Sequence, residues 1–216
     1  MNFGRSFDVL CAAVGLLTLS PVLAVLALLI LVRDGRPILF SQVRIGRYGI
    51  PFRIWKFRTM RDGAKGLVVT AAGDERVTAN GVWLRRFKLD ELPQLYNVLR
   101  GDMSLLGPRP EVPEYVNPRS PVWQAILRVR PGITDLATLL YRDEENLLAC
   151  SGDTDRFYRE AVLPAKLRLN LAYIHTRSLR QDARLIWLTI RCSLAPAQFN
   201  PDRIRKIFST AFEYGG

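Results

Sequence analysis

Residues 87–97 read FKLDELPQLYN and put two adjacent carboxylates, Asp90 and Glu91, at the start of a predicted helix. Apolar residues continue at helical spacing as far as Leu99. Pro93 suits the first turn of such a helix, because the N–H group that proline lacks would have no intrahelical partner there. The sequence therefore predicts that Asp90 lies at or near the N-cap of the helix.

Basic residues precede this acidic pair, since Arg85, Arg86 and Lys88 stand immediately upstream. A helix N-terminus also attracts anions, because its free N–H groups and the positive end of its dipole point there. Two acids in a basic neighbourhood suggest chemistry on a phosphate group. The residues alone leave a second interpretation open, in which the helix carries Asp and Glu in its first turn because the dipole favours them.

Composition narrows the functional classes. The chain has 216 residues, enough for one catalytic domain and an appendage, and its net charge is +11. This charge indicates an anionic partner such as nucleic acid, a lipid surface or a phosphorylated substrate. Three scattered cysteines argue against a disulfide framework, and the single His175 argues against a zinc site. Any metal should therefore be a hard, oxygen-liganded ion such as magnesium.

Residues 9–32 form an uninterrupted run of 24 uncharged, mostly apolar residues. At 1.5 Å per residue a straight helix of that length is roughly 36 Å long, enough to span a bilayer. No clear cleavage site follows, which argues against a signal peptide. Ser20 and Pro21 near the middle allow either a kinked spanning helix or a helix–break–helix hairpin that returns to the face it entered from. The arginines after the run favour a cytoplasmic C-terminal side.

The chain after the apolar run predicts strands first. Residues 38–57 alternate apolar and polar residues on either side of a turn at residues 46–49, a pattern typical of a β-hairpin. Arg44, Lys56 and Arg58 stand at its polar positions. These three side chains are therefore available on one face of the hairpin, where they either meet solvent or bind an anion.

Three later signals concern helix starts and turns. Thr78 is the predicted N-cap of the helix that leads into the acidic pair. Pro108 and Pro110 restrict Arg109 between them to an extended conformation, which pre-organises its side chain. Residues 130–134 (RPGIT) predict another rigid turn.

Two features of the last third leave alternatives open. Residues 143–145 (DEE) form either a solvated acidic cluster or a metal site. Residues 179–194 predict an amphipathic helix with interspersed arginines, which fits both an ordinary packing helix and a helix that lies on an anionic bilayer. The predicted apolar face of that helix comprises Leu179, Ala183, Ile186, Trp187, Ile190 and Leu194.

Several short motifs in a fixed order resemble those of the bacterial sugar transferases that form the monotopic phosphoglycosyl transferase family. The resemblance covers roughly residues 7–137, and although each motif alone is a weak signal, the set is specific. The motifs are Phe40-x-Gln42-x-Arg44-x-Gly46-x-x-Gly49, Lys56-Phe57-Arg58-Thr59-Met60, Leu84-Arg85, Leu89-Asp90-Glu91-Leu92-Pro93-Gln94, Gly101-Asp102-Met103-Ser104 and Gly107-Pro108-Arg109-Pro110.

The resemblance implies an enzyme that passes a sugar-1-phosphate from a nucleotide-sugar, usually a UDP-sugar, to polyprenyl (undecaprenyl) phosphate in the membrane. In the family the aspartate of the Asp-Glu pair is the nucleophile and forms a covalent phosphosugar intermediate, which implies that role for Asp90. Mg²⁺ is the implied cofactor, with Asp90 and Glu91 as its expected ligands. The expected phosphate ligands are Arg85 and Arg109, with Lys56 and Arg58 as weaker candidates.

The family also implies a re-entrant membrane hairpin that turns at Ser20 and Pro21, with both of its ends in the cytoplasm. We therefore expect an α/β fold in which residues 1–35 anchor the protein and residues 36–216 form a small mixed α/β catalytic domain with amphipathic interfacial helices. The expected location is the cytoplasmic face of a bacterial inner membrane, where a monotopic protein would start the assembly of a surface glycan. The expected partners include the lipid bilayer but not nucleic acid, and a homodimer is compatible with the sequence.

Two alternative functions stay open at this stage. The basic chain also suits a membrane-tethered protein that binds anionic lipid or nucleic acid, and the acidic pair suits another phosphoryl-transfer enzyme such as a lipid phosphatase. The resemblance departs from the family pattern at one loop, because Asp135 and Leu136 follow Thr134 where many members have Gly-Trp. No inference about the donor sugar is drawn from that loop.

Overall fold

A long N-terminal helix, two small β-sheets and a helical C-terminal third make up the computed structural model, which describes residues 4–64, 66 and 69–209. The fold is mixed α/β, as predicted. The helices are α1 (Arg5–Arg33), α2 (Ala79–Arg86), α3 (Gln94–Arg100), α4 (Pro121–Leu127), α5 (Leu136–Leu140), α6 (Glu144–Ala149), α7 (Thr154–Phe157), α8 (Leu163–Thr176), α9 (Leu179–Leu194) and α10 (Pro201–Ile207). The strands are β1 (Leu39–Ile45), β2 (Pro51–Phe57), β3 (Ser104–Leu106) and β4 (Gly132–Thr134).

Helix α1 is the apolar segment predicted near the N-terminus. Within the described ranges it is the one helix that is long and apolar enough to cross a membrane, by length and composition. Its helical backbone continues through Ser20 and Pro21. Because Pro21 has no N–H group for the Leu17 carbonyl, the Ser20 hydroxyl donates to that carbonyl instead, at 2.8 Å. The two residues therefore do not interrupt the helix, and a reversal of its direction there stays a prediction.

The N-terminal end of α1 is bonded to β3 and to the end of α3. Arg5 Nη2 donates to the Leu99 carbonyl at 2.9 Å. The Asp8 carboxylate is buried and accepts hydrogen bonds from the Ser104 hydroxyl at 2.8 Å and from the Leu105 N–H at 3.2 Å. A buried carboxylate needs such partners, and here they attach the first turns of α1 to the rest of the protein.

The C-terminal end of α1 is bonded to residues that follow the hairpin. Arg58 Nη2 donates to the main-chain carbonyls of Asp34 and Gly35 at 2.5 and 2.8 Å. The Asp34 carboxylate accepts from Asn80 Nδ2 at 3.1 Å and from the Thr78 hydroxyl at 3.3 Å. Both ends of α1 therefore contact the part of the chain that comes after it.

The predicted hairpin is confirmed. Strands β1 and β2 pair antiparallel, with Leu39 opposite Phe57 at one end and Ile45 opposite Pro51 at the other. Gly49 lies in the connecting turn with φ +78°, a left-handed conformation that glycine adopts without strain. The pairing brings Lys56, near the end of β2, beside the acidic pair described below.

Asn97 of α3 joins this helix to the hairpin through its fully buried side chain. Its Nδ2 donates to the Arg53 carbonyl at 2.7 Å and to the Asp102 carboxylate at 3.1 Å, and its Oδ1 accepts from the Trp55 N–H at 3.1 Å. The same amide thus satisfies main-chain groups on both sides of Ile54. This connection fixes the position of β2 relative to the acidic pair.

The prediction for α2 is confirmed, and the chain changes direction after it. The Thr78 side chain caps the helix by accepting a hydrogen bond from the Gly81 N–H. Helix α2 ends at Arg86, and Lys88 then adopts a left-handed conformation with φ 57°. This residue turns the main chain away from the axis of α2 before the acidic pair begins.

The prediction that Asp90 is a helix N-cap is wrong. Asp90 lies inside a single 3₁₀ turn, Leu89–Glu91, and α3 begins only after Pro93. The reason is that Pro93 has no N–H group for an α-helical bond to the Leu89 carbonyl, which accepts from the Leu92 N–H at 3.3 Å instead. The tighter turn buries both acidic side chains rather than leaving them on an exposed helix start.

Residues 132–134 form strand β4 rather than part of a turn, so the prediction of a turn is wrong for them. Strand β4 pairs parallel with β3, with Ser104 opposite Gly132 and Leu106 opposite Thr134. A Cβ atom on Gly132 would collide with the backbone of Gly107, and one on Gly107 would collide with the Arg130 carbonyl oxygen. The glycine in the Pro-Gly pair therefore serves a close backbone contact and not a change of direction.

The C-terminal third is helical, as predicted, but α9 buries a different stripe from the one expected. Leu185, Leu188 and Cys192 pack into an apolar core with residues of α5, α8 and α10. The predicted apolar face stays largely exposed, with Trp187 56% and Leu194 75% exposed. Helix α9 is therefore both a packing helix and a carrier of exposed apolar side chains.

Replacement of Asn97 by Ala should lower the free energy of unfolding by about 3 kcal/mol, because two main-chain groups then lose the buried amide as their partner, at about 1–3 kcal/mol each. Chemical unfolding in detergent micelles measures this. The matched control is Arg100→Ala on the same helix, whose side chain is 53% exposed and 3.5 Å from Asp102, and an exposed pair is worth less than about 1 kcal/mol. Equal losses in both variants would show that Asn97 does not join the hairpin to α3.

Candidate active site

A cavity of about 520 Å³ opens beside Asp90 and Glu91. Its walls come from the β1–β2 hairpin, residues 58–64, 66, 69, 70 and 76 of the following loop, the turn with the acidic pair, the loop around Arg109 and the segment from α5 to α8. Among the described residues that line it, ten are Arg or Lys and six are Asp or Glu. The excess of positive charge suits a ligand with several negative charges, such as a diphosphate.

Glu91 is held in this cavity by two cations. Arg109 forms a planar fork with it, with Nη1 at 3.0 Å from Oε2 and Nη2 at 2.6 Å from Oε1, and Lys56 Nζ lies 3.1 Å from Oε1. Burial opposes ionisation of Glu91, but the charges of Arg109 and Lys56 outweigh burial and hold the pKa of Glu91 well below its usual range. Glu91 is therefore ionised at neutral pH.

Asp90 has the opposite environment. Its carboxylate is buried, makes no hydrogen bond with any described residue, and leaves Oδ1 without a partner. Burial raises the pKa of Asp90; Lys56 opposes this shift, and the charge of Glu91 adds to it. Two acids whose environments separate their pKa values have different roles. Glu91 is a fixed charge, whereas Asp90 carries a free oxygen beside the cavity.

Asp135 fixes the main chain that presents Arg109. The Arg109 N–H donates to Asp135 Oδ2 at 2.7 Å, and the other carboxylate oxygen accepts from the Thr138 N–H at the start of α5. Asp135 is completely buried. From the sequence, Asp135 stood out only as a departure from the family pattern. Its position immediately before the apolar run of α5 is the signal that would have identified it as an N-cap.

The other predicted phosphate ligands are already bonded within the protein. Arg85 lines the cavity, where its Nε donates to the Thr59 hydroxyl at 3.0 Å and its Nη1 to Glu145 at 2.9 Å. Arg58 also lines the cavity, but its Nη2 is bonded to the two main-chain carbonyls beyond α1. The structure therefore brings Asp90, Glu91, Lys56 and Arg109 together. Ser20 and Pro21 of α1 are not among the residues that line the cavity.

A second charged group in the same cavity was not predicted, and we call it the Lys166 cluster: Lys166, Glu144, Glu111 and Tyr158. Lys166 Nζ lies 2.8 Å from Glu144 Oε2 and 3.8 Å from Glu111 Oε1. The Tyr158 hydroxyl donates to Glu111 at 2.8 Å. The acidic run at residues 143–145 is therefore split, because Glu144 belongs to this cluster and Glu145 pairs with Arg85.

A metal ion was expected at the acidic pair. In the described part of the chain no three His, Cys, Asp or Glu side chains come together as a metal-binding group. Magnesium, however, is commonly held by one or two carboxylates together with substrate phosphates. The unpartnered Oδ1 of Asp90 fits that requirement, whereas both oxygens of Glu91 already accept hydrogen bonds. Asp90 is therefore the better candidate ligand.

The cavity is basic and is built around two adjacent carboxylates with different environments. Together with the long apolar helix α1, these features define a membrane-associated protein suited to phosphate chemistry. In a comparison with protein families, residues 1–196 match the family described as bacterial sugar transferase, and the chain belongs to that family.

Curated relatives carry related names. One is the UDP-glucose:undecaprenyl-phosphate glucose-1-phosphate transferase of Caulobacter vibrioides, 37% identical over 191 residues, which are 86% of this chain and 67% of the relative. Another is the UDP-N-acetylgalactosamine-undecaprenyl-phosphate N-acetylgalactosaminephosphotransferase of Aeromonas hydrophila, 35% identical over 88% of this chain and 43% of the relative. A third is the exopolysaccharide production protein PSS of Rhizobium leguminosarum, 35% identical over 86% of this chain and 92% of the relative.

The length of the relatives differs widely. This chain spans 35%, 39% and 40% of three further curated relatives, which are therefore much longer proteins. It spans nearly the whole of the Rhizobium protein. The similarity accordingly concerns the part of the longer proteins that corresponds to residues 1–196.

The ion pair of Glu91 with Lys56 should weaken in mildly alkaline solution. Burial lowers the pKa of Lys56 to about 8, and Glu91 offsets this only in part. Isotope-labelled lysine followed by NMR should show a titration near that pH. In Glu91→Gln the pKa of Lys56 should fall further, because the opposing negative charge is removed. A titration at the ordinary value of 10.5, or a rise in the pKa in Glu91→Gln, would contradict this environment.

The lowered pKa of Lys56 determines how its contribution to stability depends on pH. The folded protein releases the Lys56 proton near pH 8, whereas the unfolded chain keeps it until about pH 10.5. The unfolded state therefore binds more protons between these values, and the contribution of Lys56 to the free energy of unfolding rises with pH there. Comparison of wild type with Lys56→Met across this range isolates the contribution.

Proposed function

We propose that this protein transfers a sugar-1-phosphate from a UDP-sugar to undecaprenyl phosphate through a covalent intermediate on Asp90. The observation that carries the proposal is the contrast within the acidic pair, where Glu91 is neutralised by Arg109 and Lys56 while the adjacent Asp90 keeps an unpartnered oxygen. The names of the relatives add support, since they specify UDP-sugars and undecaprenyl phosphate. In the relatives the sugar differs, so the proposal extends to a UDP-sugar and not to a particular one.

The proposed reaction has two displacements at the same phosphorus atom. In the first, a carboxylate oxygen of Asp90 attacks the phosphorus next to the sugar, and the bond from that phosphorus to UMP breaks, so that UMP leaves with the electron pair. In the second, a phosphate oxygen of the acceptor attacks the same phosphorus. The bond to Asp90 then breaks, which restores the carboxylate and leaves the sugar on a polyprenyl diphosphate.

The residues around Asp90 suit these steps through charge and position. Arg109 uses one N–H on each terminal nitrogen for Glu91 and keeps further donors for phosphate oxygens. Glu91 acts as a fixed charge that orients Arg109 and Lys56, and Asp135 holds the main chain behind Arg109. Arg85 joins the phosphate when it exchanges Glu145 for the substrate. Such preorganised charges stabilise the transition state without rearrangement of solvent.

Magnesium is the proposed cofactor, with Asp90 as its protein ligand. When bound, Mg²⁺ neutralises charge on the diphosphate and on the departing UMP. The second oxygen of Asp90 stays available for attack, because a carboxylate has two oxygens. Burial raises the pKa of Asp90, and a cation bound at its carboxylate would favour the ionised form that attacks phosphorus.

The pairing of charges in the cavity favours a small phosphorylated ligand over nucleic acid. Lys56, Arg85, Arg109 and Lys166 each contact a carboxylate. A nucleic-acid surface would instead present unpaired cations along a continuous strip, because its affinity comes from neutralised phosphates. We therefore do not propose nucleic acid as a ligand.

We also propose a monotopic association with the cytoplasmic face of the inner membrane, in which α1 enters the bilayer and returns at Ser20 and Pro21. A straight helix of 29 residues would be roughly 43 Å long, more than the hydrocarbon thickness of about 30 Å. Such a helix would separate its ends, yet Asp8 contacts Ser104 and Asp34 contacts Asn80 in the same protein body. These contacts support one side of the membrane for both ends.

Exposed apolar residues support the same arrangement. Leu17, Val25 and Val32 of α1 are 76%, 63% and 74% exposed, which suits contact with lipid tails. Trp187 and Leu194 of α9 are also exposed, and arginines share that helix. An apolar stripe with Trp and flanking arginines suits the interface of an anionic bilayer.

Asp90→Asn should retain the fold and the membrane association but lose the covalent intermediate, because an amide cannot attack phosphorus. The deciding measurement is mass spectrometry of protein quenched after mixing with UDP-sugars and Mg²⁺ in the absence of acceptor. Wild type should carry a sugar-phosphate on the peptide with Asp90, and Asp90→Asn should not. Turnover should fall by at least about four orders of magnitude, as expected when a nucleophile is removed.

Asp90→Glu is the control for charge. It keeps the carboxylate but moves it by one methylene group, which positioning arguments make too far for efficient attack. An active Asp90→Asn protein, or an adduct on another residue, would overturn the mechanism. Release of inorganic phosphate without sugar transfer would instead identify a phosphatase.

Single cysteines at Gly4 and Arg36, on either side of α1, test the topology in a background without Cys11, Cys150 and Cys192. In sealed spheroplasts neither position should react with a membrane-impermeant maleimide, and both should react after lysis. Labelling of Gly4→Cys from outside would mean that α1 spans the bilayer. Replacement of Ser20 and Pro21 by Ala and Leu should move the segment toward that spanning state.

A further inference from the structure

Two charged groups line the cavity. The first is Asp90 with Glu91, Arg109 and Lys56, and the proposed reaction accounts for it. The second is the Lys166 cluster, which the reaction leaves without a role. Lys166 and Glu111 are almost completely buried, with side chains 8% and 9% exposed, and the Glu144 side chain is 22% exposed. All four members of the cluster line the same cavity as Asp90.

Stability alone is a poor reason for this cluster. A buried ion pair pays a desolvation penalty that is often as large as the attraction within the pair, so apolar residues of similar volume would hold the helices together equally well. Tyr158 also begins a π-helical segment, Tyr158–Val162, that precedes α8. Such segments are uncommon and occur frequently at functional sites. Both observations point to a ligand that binds beside the Lys166 cluster.

Three members of the cluster come from elements that do not pack mainly on α1. Glu144 comes from α6, Tyr158 from the π-helical segment and Lys166 from α8, and these elements pack mainly on one another and on α4, α5 and α7. Glu111, the fourth member, lies in the loop after β3. Helix α1 packs mainly against α3 and β3. Glu144 and Lys166 therefore belong to elements outside the proposed membrane anchor.

This position can be related to the two displacements. In phosphoryl transfer the attacking and leaving oxygens are roughly in line across the phosphorus. Because Asp90 is the partner in both steps, UMP has to leave on the side from which the acceptor phosphate later arrives. The acceptor has its prenyl chain in the bilayer with α1, so that side faces the membrane anchor. The sugar, which stays on the phosphorus through both steps, lies away from this in-line axis.

The chemistry of the cluster matches sugar hydroxyl groups. A hydroxyl both donates and accepts hydrogen bonds, and neighbouring hydroxyls of a pyranose ring present several such groups in a fixed arrangement. Glu144 supplies acceptor oxygens, and Lys166 supplies three N–H donors, which contact Glu144 at 2.8 Å and the Tyr158 hydroxyl at 3.5 Å. Buried polar groups of this kind discriminate between ligands, because a ligand that fails to pair with them leaves them unsatisfied.

We infer that Lys166 and Glu144 bind hydroxyl groups of the donor's sugar and thereby select the donor. This inference rests on the proposed function and adds the part of the site that recognises the sugar. It gives a role to Glu144 of the acidic run at residues 143–145, whereas Glu145 pairs with Arg85.

The test uses Glu144→Gln and Lys166→Met. Glu144→Gln keeps the size of the side chain and one acceptor oxygen for Lys166, so it is the variant least prone to misfold. The matched control replaces an exposed pair outside the cavity, Arg156→Met with Glu160→Gln, whose side chains are 71% and 65% exposed. Each protein is assayed with UDP-glucose, UDP-galactose and their two N-acetylhexosamine counterparts, and UMP is measured as a competitive inhibitor.

For each protein, kcat/KM for the preferred donor is divided by kcat/KM for the next-best donor. In the two variants this ratio should change by at least about tenfold. The inhibition constant of UMP should stay within about twofold of wild type. The control should alter neither quantity. An equal loss for all donors would reduce the cluster to a structural role. A parallel rise in the UMP inhibition constant would assign it to the nucleotide instead, and unchanged ratios in Glu144→Gln would also overturn the inference.

A binding measurement separates this inference from the reaction itself. Saturation-transfer NMR on UDP-sugars bound to Asp90→Asn reports the contacts of the sugar protons and of the uracil protons separately. Addition of Glu144→Gln should weaken the sugar signals and leave the uracil signals unchanged. A wild-type protein that binds UDP-sugars but releases no UMP would contradict the proposed reaction, and these NMR contacts would still decide the role of the cluster.

Discussion

The buried contact of Glu91 with Arg109 and Lys56 is the interaction on which the site depends. It connects three separate segments, because Lys56 comes from β2, Glu91 from the 3₁₀ turn and Arg109 from the loop after β3. Removal of one partner from such a group leaves a buried charge without compensation, which costs about 3–5 kcal/mol. The arrangement therefore holds the segments in register and keeps Glu91 ionised, and it leaves Asp90 as the acid that is free to react.

Several secondary interactions maintain that contact from outside. Asn97 positions β2 and hence Lys56, while Asp135 and the β3–β4 pairing position the main chain of Arg109. Arg58 belongs to the same supporting system, since it bonds the carbonyls that follow α1. The basic residues of the motifs thus divide into those that face the cavity and those that attach its walls. The distinction depends on what each side chain contacts and not on its charge.

Local patterns predicted the elements that depend on local physics. The hairpin followed from alternation of residues 38–57, and the start of α2 followed from Thr78, because both rest on interactions between near neighbours. The position of Asp90 was predicted wrongly. Pro93 suits the start of α3, but it also prevents α3 from beginning earlier, at Asp90. The Lys166 cluster was missed because Glu111, Glu144 and Lys166 are distant in sequence and meet only through packing of α6 and α8.

The close approach of Gly107 and Gly132 has an evolutionary consequence. A Cβ atom on Gly132 would meet the Gly107 backbone, and one on Gly107 would meet the Arg130 carbonyl oxygen. Because the obstacle is main chain in both cases, no change of a neighbouring side chain can make room for a larger residue. Both positions are therefore closed to side chains, and Gly107 lies two residues before Arg109.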